Sequence, residues 1–193
     1  MTEAEVLDHY RATGALLSGH FILSSGLRSP QYMQSARVLM HPRRAEALGR
    51  ALATRLTEAV VGAIDLVLSP AMGGLIIGHE VGRALDRPAL FTERVEGRMA
   101  LRRGFDVAAG QRFVVIEDVV TTGKSTRECA AAVAALGGVL VGVGSIVDRT
   151  EGALDLGVPY VALAKLAIPN YKPDALPPAL AAIPAVKPGS RGL

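Results

Sequence analysis

Two adjacent carboxylates and a group of hydroxyl side chains lie close together near the middle of the chain. Glu117 and Asp118 follow an apolar run, a turn around Gly123 follows them, and the Ala-rich residues 127–136 suit a helix. The free N–H groups and the dipole of a first helical turn favour a phosphate. Because carboxylates repel a phosphate, the two acids must lie to one side, where sugar hydroxyls or a divalent cation can use them. The hydroxyl donors of this turn are Thr121, Thr122, Ser125 and Thr126.

The segment Gly123-Lys124-Ser125 also matches the end of a nucleoside-triphosphatase P-loop, G-x-x-x-x-G-K-[ST]. The first glycine of that pattern would fall at position 118, where this chain has an aspartate. A carboxylate at that position would oppose the phosphate cradle, which argues against a P-loop. On these residues alone, an ordinary strand, turn and helix with solvated acids remains the alternative.

The elements that must position this motif alternate along the chain. Strands are predicted at 65–69, 88–92, 111–117, 138–147 and 160–165. Helices are predicted from Thr2, with a capping box to Glu5, to about Thr13, and at 42–58, 75–85, 127–136 and 151–156. Such alternation predicts an α/β fold with a mostly parallel sheet, in which ligands bind at the carboxyl ends of the strands.

Two further segments fit an anion site at that edge of the sheet. The turn 70–74 contains Gly73 and Gly74, where an anion can meet bare backbone N–H groups. Residues 93–106 are predicted to form two extended runs around a mobile tip, and they carry Arg94, Arg98, Arg102 and Arg103. Four arginines beside two phosphate-type loops indicate a lid that closes over a polyanion. The alternative is a solvated basic loop.

Composition limits the class of protein. A chain of 193 residues, half of them apolar, predicts one domain with a full core. Cys129 is the single cysteine, so no internal disulfide forms and we expect a cytoplasmic location. We expect no signal peptide and no membrane span, because the first residues are polar and no apolar run is long enough. The net charge of +3 is small, and we interpret the arginine-rich composition as local anion binding rather than a nucleic-acid surface, so we expect no nucleic-acid partner.

Three segments together resemble the orotate phosphoribosyltransferases. They are the hairpin 19–32 with its Ser29-Pro30 turn, the central motif 114–126, and Asp148-Arg149. The resemblance covers residues 14 to 165. The central motif resembles the phosphoribosyl-pyrophosphate (PRPP) motif of the whole superfamily, and the hairpin and Arg149 select the orotate branch. The resemblance implies a type I phosphoribosyltransferase fold, with a hood at about 1–40, a core at about 41–165 and a C-terminal segment at 166–193.

The resemblance also implies the reaction and the site. The family transfers ribose 5-phosphate from PRPP to N1 of orotate with Mg²⁺, which is bound mainly through PRPP rather than by protein ligands. Arg94, Arg98 and Asp118 are the implied catalytic residues. Orotate-binding residues are Thr121, Arg149, Ser24, Tyr32 and Met33, the last two through backbone that faces the ring. PRPP-binding residues are Met72, Gly73, Gly74, Arg94, Arg98, Glu117, Asp118, Val119, Val120, Thr121, Thr122, Gly123, Lys124 and Ser125.

Two more features follow from the resemblance. A non-proline cis peptide bond is implied in the Met72-Gly73-Gly74 loop. The basic lid of this family reaches into a neighbouring subunit, so we expect a homodimer with shared sites in which Arg94 and Arg98 serve the partner.

The chain departs from the family pattern at several positions. Many members have lysine at Ser24, Tyr-Lys at Met72-Gly73, a histidine near Met99 and an aspartate at Glu117. A purine phosphoribosyltransferase and a non-catalytic, PRPP-sensing nucleic-acid-binding regulator are the alternative functions. We assign structural roles to the remaining candidates, His9, His20, His41, His79 and Cys129.

Overall fold

The computed structural model describes residues 1–23, 26–150, 152 and 154–188. Its helices are α1 (Glu3–Ala12), α2 (Ser35–Leu39), α3 (Pro42–Ala59), α4 (Gly74–Leu85), α5 (Lys124–Ala134) and α6 (Pro178–Ala181). Its strands are β1 (Leu16–Ile22), β2 (Arg28–Met33), β3 (Leu66–Pro70), β4 (Ala89–Val95), β5 (Arg98–Leu101), β6 (Arg112–Val120), β7 (Val139–Asp148), β8 (Tyr160–Lys165) and β9 (Ala185–Val186).

A six-stranded sheet in the order β5-β4-β3-β6-β7-β8 forms the centre of the fold. Its strands pair in parallel, except that β5 runs antiparallel to β4. Side chains alternate along β6, so that Val114 and Ile116 face the core under α3 and α4, while Phe113 and Val115 face the core under α5. Helices therefore cover both faces, and the predicted α/β fold with a mostly parallel sheet is confirmed.

A separate three-stranded sheet in the order β2-β1-β9 forms the hood. The predicted hairpin is present, with β1 antiparallel to β2. The third strand comes from the other end of the chain, because β9 pairs in parallel with β1 at His20 and Phe21. The C-terminal segment also pairs with the hood at Tyr171, opposite Arg28. Both ends of the chain thus build the hood.

Local signals place several helix ends correctly. Thr2 caps α1 with a complete capping box to Glu5, and α3 begins with Pro42 in its first turn.

The strand predicted at the centre of the sheet was too short, because β6 continues through both acids to Val120. The β-branched Val119 and Val120 pair with β7 and extend the strand.

Two predictions beyond the central strand also need correction. Helix α5 begins at Lys124 rather than at Arg127. The helix predicted at 151–156 is wrong for its described positions, since Gly152 and 154–156 are not helical. The Asp155 carboxylate there accepts a hydrogen bond from the Gly157 N–H group, which stabilises a turn instead. Within the described ranges, no helix is long and apolar enough to cross a membrane.

Candidate active site

The two adjacent acids face opposite sides of the sheet, because side chains alternate along β6. Glu117 lies on the α5 side, where Thr126 Oγ1 donates a hydrogen bond to its carboxylate at 3.0 Å. Glu117 is only 7% exposed. Burial raises its pKa to about 8, the negative charge of Asp118 adds to the rise, and the Thr126 hydrogen bond opposes it. The surroundings of Glu117 therefore favour its neutral form more than water does, and a bound ligand or cation would favour its charged form.

Asp118 lies on the other side, against the Gly73 loop. A methyl group on Gly73 would lie 2.6 Å from Asp118 Oδ1, so the carboxylate occupies the space that a side chain would need. Burial raises the pKa of Asp118, and a hydrogen bond from Ser35 opposes that rise. This contact places the 70–74 turn beside the acidic motif at the same edge of the sheet.

The Gly73 loop presents backbone to the cleft. The Ala71–Met72 peptide bond is cis, as the resemblance implied, and the Met72 side chain is 81% exposed. A methyl group on Gly74 would lie 2.8 Å from the Ile116 carbonyl oxygen, which leaves room there for glycine alone. This loop can therefore offer N–H groups to an anion at close range.

A second loop, 121–125, connects β6 to α5 at the same edge of the sheet. Gly123 adopts φ 69° and has no side chain to cap the helix that begins at Lys124, and the Thr122 hydroxyl accepts one long hydrogen bond, 3.4 Å, from the Lys124 N–H group. The side chains of Thr121, Thr122 and Lys124 are exposed around this helix terminus. The arrangement has the free N–H groups and hydroxyls that a phosphate needs.

Arg127 holds the 121–125 loop in place through hydrogen bonds and packing, a role that the sequence analysis missed. Its guanidinium donates to the Thr122 carbonyl at 2.9 Å and to the Asp155 carbonyl at 3.0 Å. It also packs against Gly123 together with Leu154. The position of this arginine, one helical turn after Gly123, is the sequence feature that could have indicated this role.

Arg149 enters the cleft from the end of β7 and is 8% exposed. Its Nη2 lies 3.5 Å from the Ser29 hydroxyl of β2, and its Nε has no hydrogen-bond partner among the described residues. Burial lowers the pKa of Arg149. A buried guanidinium with a free N–H group is suited to a planar carboxylate. Ser29, which stood in the hairpin motif but not among the predicted site residues, is thus a second residue of this pocket.

Tyr32 of the hood lies near both Arg149 and Asp118. Burial and the charge of Asp118 raise the pKa of Tyr32, while the charge of Arg149 lowers it. Its ring packs on Phe21 with centroids 5.7 Å apart. The Met33 side chain is buried in the core, so its backbone alone is left for the cleft. Ser24 lies outside the described residues.

The β4–β5 hairpin carries the predicted lid arginines, and its two extended runs are confirmed. Arg94 forms an ion pair with Glu128 of α5 at 2.6 Å. Arg103 binds both carboxylate oxygens of Glu93 and lies over a phenylalanine ring. Arg98 and Arg102 are exposed, and their side chains make no hydrogen bond or ion pair with the described part of the chain. These two side chains therefore remain available to an anion.

Several other candidates have structural surroundings. Cys129 is fully buried, accepts a hydrogen bond from Thr92 and has its pKa raised by burial to about 12. His20 is buried beneath the C-terminal segment, with its Nδ1 2.9 Å from the Ile183 carbonyl oxygen. Among the described residues, no cluster of three or more His, Cys, Asp or Glu side chains is arranged to hold a metal.

Comparison with known proteins decides the family. No protein-family model matches the chain. The orotate phosphoribosyltransferase of Rhizorhabdus wittichii is 54% identical over 191 residues, which cover 99% of this chain and 97% of that protein. The Caulobacter vibrioides enzyme of the same name is 51% identical over 193 residues, covering 100% of this chain and 99% of that protein. The chain belongs to the orotate phosphoribosyltransferase family.

Solved structures agree with this assignment. The Mycobacterium tuberculosis orotate phosphoribosyltransferase in complex with PRPP is 28% identical, with a TM-score of 0.66 over 85% of this chain and 96% of that chain. The Aeropyrum pernix enzyme is also 28% identical, with a TM-score of 0.69 over 83% and 93% of the two chains. The predicted type I phosphoribosyltransferase fold and enzyme class are confirmed. The relatives favour neither the purine enzyme nor the regulator.

Proposed function

We propose that this orotate phosphoribosyltransferase transfers ribose 5-phosphate from PRPP to N1 of orotate, giving orotidine 5′-monophosphate and pyrophosphate in pyrimidine biosynthesis. The observation that carries this proposal is the buried Arg149, whose free Nε lies in the same cleft as Asp118 and the two anion loops. A carboxylate-bearing base and a polyanionic ribose can meet there.

The phosphate groups of PRPP have two proposed places. Loop 121–125 would bind the 5′-phosphate through the N–H groups at the start of α5, with hydroxyls from Thr121 and Thr122. The backbone of Met72, Gly73 and Gly74 would bind pyrophosphate. Support comes from the exposed start of α5, where the N-cap residue is a glycine, and from the lack of room for a side chain at Gly74.

Glu117 and Asp118 lie between these two loops and would bind the ribose hydroxyls. Each carboxylate accepts hydrogen bonds more strongly when it is charged than when it is protonated. Because burial raises the pKa of both groups, binding of hydroxyl donors or of a cation would favour their ionised forms. Val119 and Val120 complete the motif as backbone that continues β6 toward the loop.

Arg149 is proposed to bind the orotate carboxylate, with Ser29 holding its Nη2 in place. Thr121, Ser24, and the backbone of Tyr32 and Met33 would surround the ring. Orotate N1 is a delocalised nucleophile, so the main task of these residues is to hold it in line with C1 of the ribose.

Magnesium is the proposed cofactor. Mg²⁺ keeps much of its water and binds through one or two carboxylates together with substrate phosphates. The ion would be held mainly by the phosphates of PRPP, beside the Gly73 loop and the Asp118 carboxylate that contacts it. When bound, the ion neutralises charge on the departing pyrophosphate.

The lid and the dimer complete the proposal. Arg94 and Arg98 would stabilise the charge on pyrophosphate while positive charge builds on the ribose, and the closed lid would keep water from C1. We propose that the lid acts in the site of a second subunit of a homodimer. For Arg94 this requires release from Glu128, whereas Arg98 is already unpaired within the described residues.

We further propose that the chain is one domain that acts in the cytoplasm, without nucleic-acid or membrane partners. The sharing of the hood sheet by both ends of the chain supports a single unit. The single cysteine, buried in the core, supports a reducing compartment.

A spectrophotometric assay tests the reaction. With PRPP and Mg²⁺, orotate absorbance should fall and orotidine 5′-monophosphate should form. Consumption of adenine, hypoxanthine or xanthine instead of orotate would refute the substrate assignment. Salt-dependent DNA or RNA binding without any turnover would favour the regulator.

A further inference from the structure

A guanidinium group from α5 connects the loop 121–125 to a distant part of the chain. Arg127 Nη1 donates a hydrogen bond to the Thr122 carbonyl oxygen at 2.9 Å, and Arg127 Nη2 donates one to the Asp155 carbonyl oxygen at 3.0 Å. The first acceptor belongs to the loop, and the second belongs to the segment 154–157 that follows β7. This segment carries none of the predicted site residues, so its contact with the loop gives it a place beside the site.

The inner side of the loop is closely packed. Gly123 is buried, and a methyl group there would lie 3.0 Å from Leu154 Cδ1 and 3.1 Å from Arg127 Nη1. The Asp155 carboxylate accepts a hydrogen bond from the Gly157 N–H group at 2.8 Å, which holds the turn that presents the Asp155 carbonyl oxygen. Arg127, Leu154 and Asp155 thus form a packed support for the loop.

The hydrogen bond to Thr122 also sets the direction of a backbone N–H group. The peptide bond between Thr122 and Gly123 is trans, and in a trans peptide unit the C=O and N–H bonds point in opposite directions. Since the Thr122 carbonyl oxygen points toward Arg127, the Gly123 N–H group points away from it. This N–H group has no hydrogen-bond partner among the described residues, so it is free to bind an anion.

The positive charge of Arg127 is not neutralised by a carboxylate in the described part of the chain. Its hydrogen-bond acceptors are carbonyl oxygens, and it makes no ion pair there. The neighbouring cations differ, because Arg94 and Lys124 both lie close to the Glu128 carboxylate. An uncompensated positive charge held against the loop favours an anion bound by that loop.

We propose that Arg127 is a positioning residue of the 5′-phosphate site, which holds the Thr122–Gly123 peptide unit so that its N–H group faces the phosphate. This inference rests on the proposed binding of the 5′-phosphate by loop 121–125. PRPP and orotidine 5′-monophosphate both carry a 5′-phosphate, whereas orotate and pyrophosphate do not. Loss of Arg127 should therefore weaken the use of the first two compounds and spare the other two.

Steady-state kinetics of Arg127→Ala in both directions of the reaction test the proposal. The KM values for PRPP and for orotidine 5′-monophosphate should each rise about tenfold, since both hydrogen bonds that fix the loop are lost. The KM values for orotate and for pyrophosphate should change less than about twofold. A rise of similar size for all of these compounds would show a general disturbance of the fold and would overturn the inference.

Arg127→Lys separates the geometry of the guanidinium from its charge and provides the test if Arg127→Ala does not fold. The single ammonium group keeps the charge but lacks the planar fork that reaches both carbonyl oxygens. We expect about a threefold rise in the KM values for PRPP and orotidine 5′-monophosphate. Wild-type values would show that charge alone is enough and would contradict the proposed orientation of the peptide unit.

Arg112→Ala is the matched control. Arg112, the first residue of β6, makes the same type of contact at the opposite end of that strand, where its guanidinium donates to the Ala63 and Val61 carbonyl oxygens at 2.7 and 2.6 Å. It also lies against Gly62, a glycine with positive φ. Its loss should lower thermal stability to a similar extent and leave all of these KM values unchanged. Equal increases in the PRPP KM for Arg112→Ala and Arg127→Ala would overturn the inference.

Thr122→Val separates this inference from the proposed site. The substitution removes a hydroxyl that is proposed to bind the 5′-phosphate and keeps the carbonyl group that binds Arg127, so the KM for PRPP should rise about fivefold. Such a rise, together with an unchanged KM in Arg127→Ala, would overturn the inference alone. Unchanged values in both variants would refute the proposed phosphate site and the inference together.

Discussion

Glu117 connects the stability of the protein to pH in a way that can be measured. Burial raises its pKa from 4.5 to about 8, so between these values the folded chain holds a proton that the unfolded chain releases. The contribution of this proton to the free energy of unfolding is fully present below pH 4.5, and it is lost as the pH rises toward 8. The raised pKa of Asp118 has the same sign. Glu117→Gln keeps the shape and an acceptor for Thr126 but does not titrate, so it should escape this loss.

The size of the effect follows from the shift. The rise of the pKa from 4.5 to about 8 corresponds to about 5 kcal/mol, which is an upper limit. Relaxation and water at the edge of the cleft reduce such penalties, so we expect Glu117→Gln to stabilise the fold by about 2 kcal/mol at pH 8.5 relative to pH 5.5. The same substitution should weaken PRPP use, because a charged acceptor for ribose hydroxyls is lost. The acid would then be retained for binding at the expense of stability.

Urea unfolding of the wild type, Glu117→Gln and the exposed control Glu58→Gln at pH 5.5 and 8.5 measures this difference. Between pH 5.5 and pH 8.5, the free energy of unfolding of the wild type and of the control should fall by about 2 kcal/mol more than that of Glu117→Gln. Parallel losses in all three proteins would show that Glu117 is already charged when folded, and the argument from burial would be refuted.

Three further predictions concern the cleft. Gly73→Ala is compatible with the local φ of −59°, but its methyl group would lie 2.6 Å from Asp118 Oδ1, so we expect an increase in the PRPP KM of about tenfold. Gly152→Ala is the control, because no described atom lies within 4 Å of its new methyl group. In steady-state assays it should leave the KM for PRPP unchanged. Mixing an Arg98→Ala subunit with an Asp118→Asn subunit should restore activity if lids act across a dimer, and the absence of recovery would assign each lid to its own site. Chelation with EDTA should reduce turnover at least about a hundredfold without changing the melting temperature, since the ion is proposed to bind with PRPP; a lower melting temperature would indicate a structural metal.

The sequence predicted the central motif and the hood hairpin because their signals are local. An apolar run, a glycine and an Ala-rich stretch place a loop between β6 and α5 without knowledge of the rest of the chain. The strand end was misplaced because Val119 and Val120 extend β6 through pairing with β7, which lies further along the chain. The consequence is functional, since a strand that passes through both acids directs them to opposite faces.

Contacts between distant segments could not be predicted in the same way. The two-residue strand β9 joins the hood across most of the chain length and has no periodicity of its own. Ser35 stands in a short helix and Tyr10 in an amphipathic one, where their types alone indicate ordinary buried or capping residues. Only the three-dimensional arrangement brings the two hydroxyls to within 3.0 Å of each other.

The division of the cleft between two substrates is the central claim, and paired KM measurements test it most directly. Arg149→Ala should raise the KM for orotate at least about thirtyfold and the KM for PRPP less than about threefold, because a buried charge partner for a carboxylate is lost. Asp118→Asn should show the reverse, with a large increase for PRPP and a small one for orotate. Equal effects of each substitution on both substrates would contradict the assignment of Arg149 to the base and of Asp118 to the ribose.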